Sequence, residues 1–393
     1  MTTGTRTARQ SSRLPSSRLR SSRLGRLPAL SAAVLGALSL TGCTLLGGDD
    51  EAASTADSSE EGDSTNGPTS NASGEEVVLI THDSFSLPPG LIEDFTAETG
   101  YTLTVLPSGD AGSMTNTLAL TTNSPLGDAV FGIDTTFASR AVTEGVLAQY
   151  TPSEVPEGVS EHELAGELAS YLTPVDFGDV CVNVDLEWFA ARDIPAPQTL
   201  QDLRDPQYRG LFVTPGASTS SPGLAFLLAT IAEFGEDGWQ DYWRDLRAND
   251  VKITAGWEDA YLVDFSAGRD QGERPIVLSY ASSPPFTIDE DSGESTTAAL
   301  MDTCYHQVEY AGVIEGAANE AGGQAAVDYL LSDAVQASLP ESMFVFPVSD
   351  QVELPQDWAQ WAKVAQEPYE LPAEQVDERR MEWVNEWADI TTG

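Results

Sequence analysis

Hydrophobic positions in this chain fall into short unbroken runs, separated by stretches in which they recur every three to four residues. Residues 77–80 form a β-branched run that predicts a strand. A loop containing prolines follows, then a helical spacing through Leu91, Ile92 and Phe95. Residues 101–106 alternate as a second strand, 128–133 read as a buried strand ending at Asp134, and 137–147 read as a helix. A second alternating unit starts near Val180. It predicts strands at 210–213, 251–253 and 276–279, and helices at 222–234 and 239–246, with Trp239 and Trp243 facing a core. A strand at 307–314 and an alanine-rich helix at 320–331 follow. Residues 376–390 are amphipathic, with Met381, Val384 and Trp387 on one face, and predict a packed helix. Strands alternating with helices imply an α/β fold with a mostly parallel sheet. Ligands in such sheets sit at the carboxyl ends of strands, where His82, Asp83 and Asp134 all fall. The apolar part spans about 317 residues, more than one core usually serves, so two lobes are expected.

The N-terminus has a different texture. Residues 1–26 carry seven arginines and no acidic residue, and an apolar run at 27–40 leads to Thr41, Gly42 and Cys43. A basic region, a short apolar core and small residues make a secretory signal, with a core too short to span a bilayer. The ending resembles the bacterial lipobox, which implies that Cys43 becomes the lipid-bearing first residue. Residues 43–76 are rich in Ser, Thr, Gly, Asp and Glu and lack aromatic side chains, so they predict a flexible acidic linker. The expected product is a monomer tethered to the outer face of the cell membrane.

Composition narrows the partners. The whole chain has 19 Lys plus Arg against 62 Asp plus Glu; removal of residues 1–42 leaves 12 against 62, a net of −50. Such a surface repels nucleic acid and anionic membranes and suits a cationic ligand, although solvent ions screen the attraction beyond roughly 10 Å. With Cys43 taken by lipid, Cys181 and Cys304 form an even pair that is expected to oxidise outside the cytoplasm.

Enzyme signatures are weak. The three histidines, His82, His162 and His306, have no metal-type spacing, and neither a nucleotide-binding fingerprint nor a G-x-S-x-G elbow occurs. No cofactor, metal or catalytic residue is expected. Ser218-Thr219-Ser220-Ser221-Pro222-Gly223 places four hydroxyls before a helix-starting proline, with Ser221 as the cap; this suits a phosphate as well as it suits plain capping. Gly256-Trp257-Glu258-Asp259-Ala260-Tyr261 and Ser279-Tyr280-Ala281-Ser282-Ser283-Pro284-Pro285-Phe286 each follow a predicted strand. An aromatic residue there either packs in a core or presents its face to a cationic or flat heteroaromatic ligand.

In order and spacing, these segments resemble the thiamine-binding subunits of bacterial ABC importers, a branch of the type II periplasmic binding proteins. The resemblance runs from His82-Asp83-Ser84-Phe85 through Phe131-Gly132-Ile133-Asp134, Ser220-Ser221-Pro222-Gly223-Leu224, the Gly256-Trp257 segment and Val277-Leu278-Ser279-Tyr280. It continues through Gln307-Val308-Glu309 and Phe346-Pro347-Val348 to the Arg380–Trp387 stretch. It implies a two-lobed fold with a ligand cleft between the lobes and hinge crossovers: 77–178 as the first part of lobe 1, 179–305 as lobe 2, and 306–393 as the return to lobe 1 with a C-terminal helix. It also implies capture of thiamine, thiamine monophosphate or thiamine diphosphate and delivery to an ABC permease. His82, Asp83 and Asp134 would meet the ligand from the first lobe, with Trp257, Tyr261, Tyr280 and Ser283 around its rings. Ser218, Ser220 and Ser221 would meet a phosphate ester. Two positions depart from the family, which often has tyrosine at His82 and at Phe286; the Cys181/Cys304 pair is not general to it either. The same fold also serves iron(III) and other small solutes, and an extracellular hydrolase or a structural lipoprotein are the readings from other classes.

Overall fold

The computed structural model describes residues 75–393. The predicted signal, the predicted lipid-bearing residue Cys43 and nearly all of the predicted linker lie outside the described residues. In chain order the strands and α-helices begin with β1 (Glu76–Thr81), α1 (Pro89–Thr99), β2 (Thr102–Pro107), α2 (Ala111–Leu120), β3 (Ala129–Asp134) and α3 (Ala138–Thr143). Then come β4 (Thr173–Asp185), α4 (Leu186–Ala190), β5 (Phe212–Pro215), α5 (Ser221–Phe234), α6 (Trp239–Ala248), β6 (Lys252–Thr254) and β7 (Ile276–Tyr280). The chain ends with β8 (Thr297–Ala299), β9 (Tyr305–Val313), α7 (Glu320–Leu330), α8 (Asp333–Ser342), β10 (Phe346–Pro347), α9 (Gln356–Trp361) and α10 (Ala373–Thr392).

Local chemistry sets many of these boundaries. β1 is apolar without alternation because both its faces are covered: Val77 and Leu79 enter one core cluster and Ile80 enters another. Prolines precede and open α1, and Gly100 closes it at φ 81°, in the left-handed region that costs glycine nothing. Ser220 caps α5, accepting from the N–H of Gly223, and eleven residues of that helix are buried, so it runs through the core rather than over it. α6 buries Trp239, Tyr242, Trp243 and Leu246 along one stripe, and α10 packs on it with the rings of Trp243 and Trp387 edge to face at 5.6 Å.

Among the described residues the strands join in one mixed sheet of order β2-β1-β3-β9-β4-β7-β5-β6, with β8 and β10 paired to β4. The expected mostly parallel sheet holds only for two outer groups: β2, β1 and β3 are parallel on one side, and β7, β5 and β6 on the other. Between them β4 and β9 run antiparallel to their neighbours. β4 pairs with β9 over residues 173–180 and with β7 over 180–184, so one strand belongs to both halves. The lobe boundaries drawn at 178/179 and 305/306 fall inside β4 and at the start of β9.

Other departures have local causes. The helix expected over 137–147 stops at Thr143, and Gly145, at φ 69°, turns the chain back. Ser220, not Ser221, is the cap of α5. In α10 the buried stripe is Val376, Arg380, Trp383 and Trp387, whereas Met381 is half exposed. The Arg380 guanidinium lies over the Phe137 ring at 5.3 Å, so a cation occupies a core-facing position that an apolar count assigns to Met381.

Cys181 and Cys304 are joined in a disulfide across 123 residues of sequence. The bridge ties β4, where its partner changes from β9 to β7, to the residue just before β9. Closing a loop of that length constrains the unfolded chain by about 5 kcal/mol in the chain-entropy model. The Cys181→Ser/Cys304→Ser protein is expected to unfold at a clearly lower urea concentration; an unchanged midpoint would show that the bridge does not constrain the chain.

Candidate functional site

A cavity of about 220 Å³ lies where the carboxyl ends of the outer strands meet the long central pair. The first half contributes His82 and Asp83 after β1, and Asp110 and Ser113 at the start of α2. The second half contributes Ser221 from α5, Trp257, Glu258 and Asp259 after β6, and Tyr280, Ser283 and Phe286 after β7. Glu309 of β9 and Phe344, after α8, complete the wall. This is the crevice that strand polarity predicts.

The aromatic wall is held rigidly. Trp257 stacks on Tyr261 with centroids 5.0 Å apart and planes 11° from parallel, and Tyr280 meets it edge-on at 6.4 Å. The Trp257 indole N–H donates to Ser279 Oγ at 2.9 Å, and that hydroxyl lies 2.7 Å from Ser283 Oγ. The Tyr280 backbone N–H also donates to Ser283, at 3.1 Å. Tyr261 is buried behind Trp257, its hydroxyl donating to the Ser283 carbonyl. With the indole N–H satisfied and Tyr261 stacked on one face, the other face of Trp257 is left for a ligand. Phe286 and Phe344 stack with centroids 3.3 Å apart, one ring from the β7 side and one from the α8 side.

The floor is acidic. Glu309 faces Asp134 across β3 and Asp176 across β4. His82 Nε2 lies 3.6 Å from Glu309 Oε1, an ion-pair separation longer than a direct hydrogen bond. Burial is the largest single influence on the His82 pKa and pushes it down, but Glu309, Asp110 and Asp83 together outweigh it and leave it raised. Burial also pushes Asp176 well up, and Glu309 beside it adds to the rise. Glu309 itself, despite its burial, is held below its ordinary value, chiefly by His82 and also by its neighbour Asp176. Of the three groups, Glu309 is the one shifted toward its charged form, while His82 and Asp176 are shifted toward their protonated forms. Gly132, at φ 99°, lets the His82 ring approach the backbone closely; any Cβ there would overlap the imidazole.

Asp110 joins the halves. Its Oδ1 accepts from the Ser221 N–H at 3.1 Å and its Oδ2 from the Trp257 N–H at 2.9 Å, so a side chain from the α2 end is gripped by the α5 and β6 ends. Burial raises the Asp110 pKa against the opposing effect of hydrogen bonds from Trp257, Ser220 and Ser221. The Ser113 N–H donates to the Thr219 carbonyl nearby, and Gly112 permits that approach: a Cβ would lie 2.7 Å from the Thr219 carbonyl carbon.

Of the residues singled out in the sequence, His82, Asp83, Ser221, Trp257, Tyr280 and Ser283 line this one cavity. Ser220 and Tyr261 are buried behind it, and Ser218 is exposed outside its lining. Asp134 is fully buried beneath the floor, where it accepts from Thr136 Oγ1 at 2.8 Å and from the Phe137 N–H at 3.2 Å. Asp110 and Glu309 were not singled out. Asp110 carried a faint signal as an acidic residue before a helix, and Glu309 one as a charge in an apolar strand beside Gln307. Among the described residues, no group of three or more His, Cys, Asp or Glu is arranged to hold a metal ion.

Residues 125–284 match the family model described as bacterial extracellular solute-binding protein. The thiamine-binding periplasmic protein of Escherichia coli K12 is 28% identical over 321 residues, covering 79% of this chain and 92% of that protein. Its counterpart in Brucella melitensis is 25% identical over 328 residues, covering 81% and 92%. A solved periplasmic thiamin binding protein superposes with a TM-score of 0.70 at 25% identity, over 81% of this chain and 96% of that one. Iron-bound HitA from Pseudomonas aeruginosa, 18% identical, shares the fold at a TM-score of 0.62, over 80% and 99%.

Burial, with Glu309 adding, raises the Asp134 pKa from 3.8 to about 8. Folding therefore takes up a proton between those values. The stability this carboxyl contributes is whole below pH 3.8 and is lost as pH rises through about 8. Relative to Asp134→Asn, the native protein is expected to lose up to about 1.4 kcal/mol per pH unit between pH 6 and 8. Denaturant titrations at several pH values measure the gap; a constant difference would refute the assignment.

Proposed function

We infer that this chain, a member of the bacterial extracellular solute-binding proteins, captures thiamine or one of its phosphates outside the cytoplasm and delivers it to an ABC import permease. The observation that carries this reading is the Trp257 ring, fixed by Tyr261 and Ser279 and facing the same cavity as Tyr280 and the carboxylates of Asp83, Asp110, Glu258, Asp259 and Glu309. Thiamine is a flat aminopyrimidine joined to a permanently charged thiazolium. Aromatic faces attract such a cation through their quadrupoles, and carboxylates in a cavity shielded from water strengthen that hold. The relatives named for thiamine binding support the same ligand. A ferric site would call for paired phenolates, and Tyr280 is the one tyrosine among the described residues lining the cavity.

The proposed lobes are 77–178 with 306–393, and 179–305, with β4 and β9 as the crossovers between them. Closure brings Trp257 and Asp110 together around the ligand, and the closed form gains only the ligand's differential affinity for it. The Cys181–Cys304 bridge restricts how far the crossovers can splay. We take Cys43 to be the lipid anchor, and the protein to act as a monomer with no catalytic step.

Isothermal titration with thiamine is expected to give a saturable exothermic curve below millimolar ligand. Trp257→Ala should raise the Kd by roughly thirtyfold, the factor that about 2 kcal/mol of lost cation–π attraction produces. Full affinity in that variant would remove the assignment.

A further inference from the structure

We propose that His162 and His306 form a binding site for a divalent transition-metal ion such as zinc, on the face of the sheet that turns away from the cleft. The proposal does not depend on what the cleft binds.

Strand alternation puts the pair there. Across β4 and β9, Asp176 pairs with Glu309 and Asp179 pairs with His306. Successive side chains of a strand point to opposite faces, so Phe177, Asp179 and His306 lie on the reverse side from the Glu309 floor. His162 reaches the same place from the segment before β4, its carbonyl accepting from the Tyr310 hydroxyl at 3.1 Å. Its ring stacks on Phe177, with centroids 4.3 Å apart and planes 21° from parallel. This leaves the two imidazole centroids 6.4 Å from each other. Imidazoles that share a zinc ion at about 2.0–2.1 Å have centroids roughly 5–6 Å apart, so a small rotation of either ring closes the pair on an ion.

His306 is already oriented for the task. Its Nδ1 lies 2.8 Å from Asp179 Oδ1, and a carboxylate only accepts, so Nδ1 carries the proton and Nε2 keeps the lone pair that binds a metal. Asp179 is buried and fixed in turn, its Oδ2 accepting from the Ala365 N–H at 2.6 Å. The His306 ring is partly exposed, which gives an ion a way in. Among the described residues no hydrogen bond occupies the His162 ring. Burial, together with the charge of His306, holds its pKa below the ordinary value against the opposing Glu161, and so favours the neutral ring that can ligate.

The donor set names the class of ion. Imidazole nitrogen suits zinc, copper and nickel, whereas magnesium and calcium seek oxygen. Two nitrogens leave the other positions of a tetrahedral ion to water. The acidic surface attracts every cation diffusely, so preference for a transition metal over magnesium is what marks this site.

Zinc binding is measured on the purified protein by competition with a chromophoric chelator, with magnesium in excess to occupy the surface carboxylates. One zinc ion per chain is expected to bind under these conditions. His162→Gln and His306→Gln should each weaken it at least about tenfold, because loss of a direct ligand costs no less than loss of an outer partner. Should His306→Gln not fold, His162→Gln carries the test. Zinc should also raise the melting temperature of the native protein and leave that of a folded His162→Gln variant nearly unmoved. Zinc that magnesium displaces, or an affinity unchanged in a folded histidine variant, overturns the proposal. Zinc that thiamine displaces would lie in the cleft, and that also overturns it.

Discussion

A single negative charge at Glu309, buried in the middle of the sheet, constrains the whole cleft. A carboxylate taken out of water survives only with matched partners. His82, from the end of β1, is shifted toward its charged form beside it, and Asp176, from β4, is shifted toward its neutral form. These groups come from three strands that meet only because β9 lies between β3 and β4. The floor of the cavity and the central pairing of the sheet are therefore the same structure seen at two scales.

Above that floor the site divides its work. Trp257 and Tyr280 provide aromatic faces, and the Trp257 indole N–H is already bonded to Ser279, so that ring contributes area and quadrupole rather than a hydrogen bond. The carboxylates set the sign of the ligand. Asp110 does more than add charge: it accepts two N–H groups from the far half and so ties the two sides of the cavity together. The exposed acidic surface has no comparable role, since solvent ions screen it over distances that the enclosed cavity does not feel.

Much of this was legible along the chain. β1, β3, β5 and β7 show as apolar runs, and α5, α6 and α10 by their spacing, because burial imposes a period that neighbouring residues record. Trp257, Tyr280 and Ser283 stood out because strand ends in α/β folds face the crevice and because their segments resemble a known family. β4 was cut at Val180 because its first half carries Pro174, Asp176 and Gly178, which do not read as a strand until β9 and β10 pair with it. Met381 was placed on the buried face of α10 by an apolar count; Phe137, from a distant helix, makes Arg380 the residue that packs there.

By itself, the sequence determined most of the apolar strands and the longer helices, that two thiols would pair, and that aromatic and acidic residues would gather at strand ends. These follow from short-range periodicity and from chemistry each residue carries alone. Only the tertiary structure decided that Asp110 meets the start of α5, that Asp134 lies beneath the floor instead of in the cleft, and that Glu309 and Asp176 are shifted in opposite directions. Each of those depends on which groups become neighbours after water is excluded. A carboxylate's partner can be more than a hundred residues away, and nothing in its local sequence marks the distance at which the two will meet.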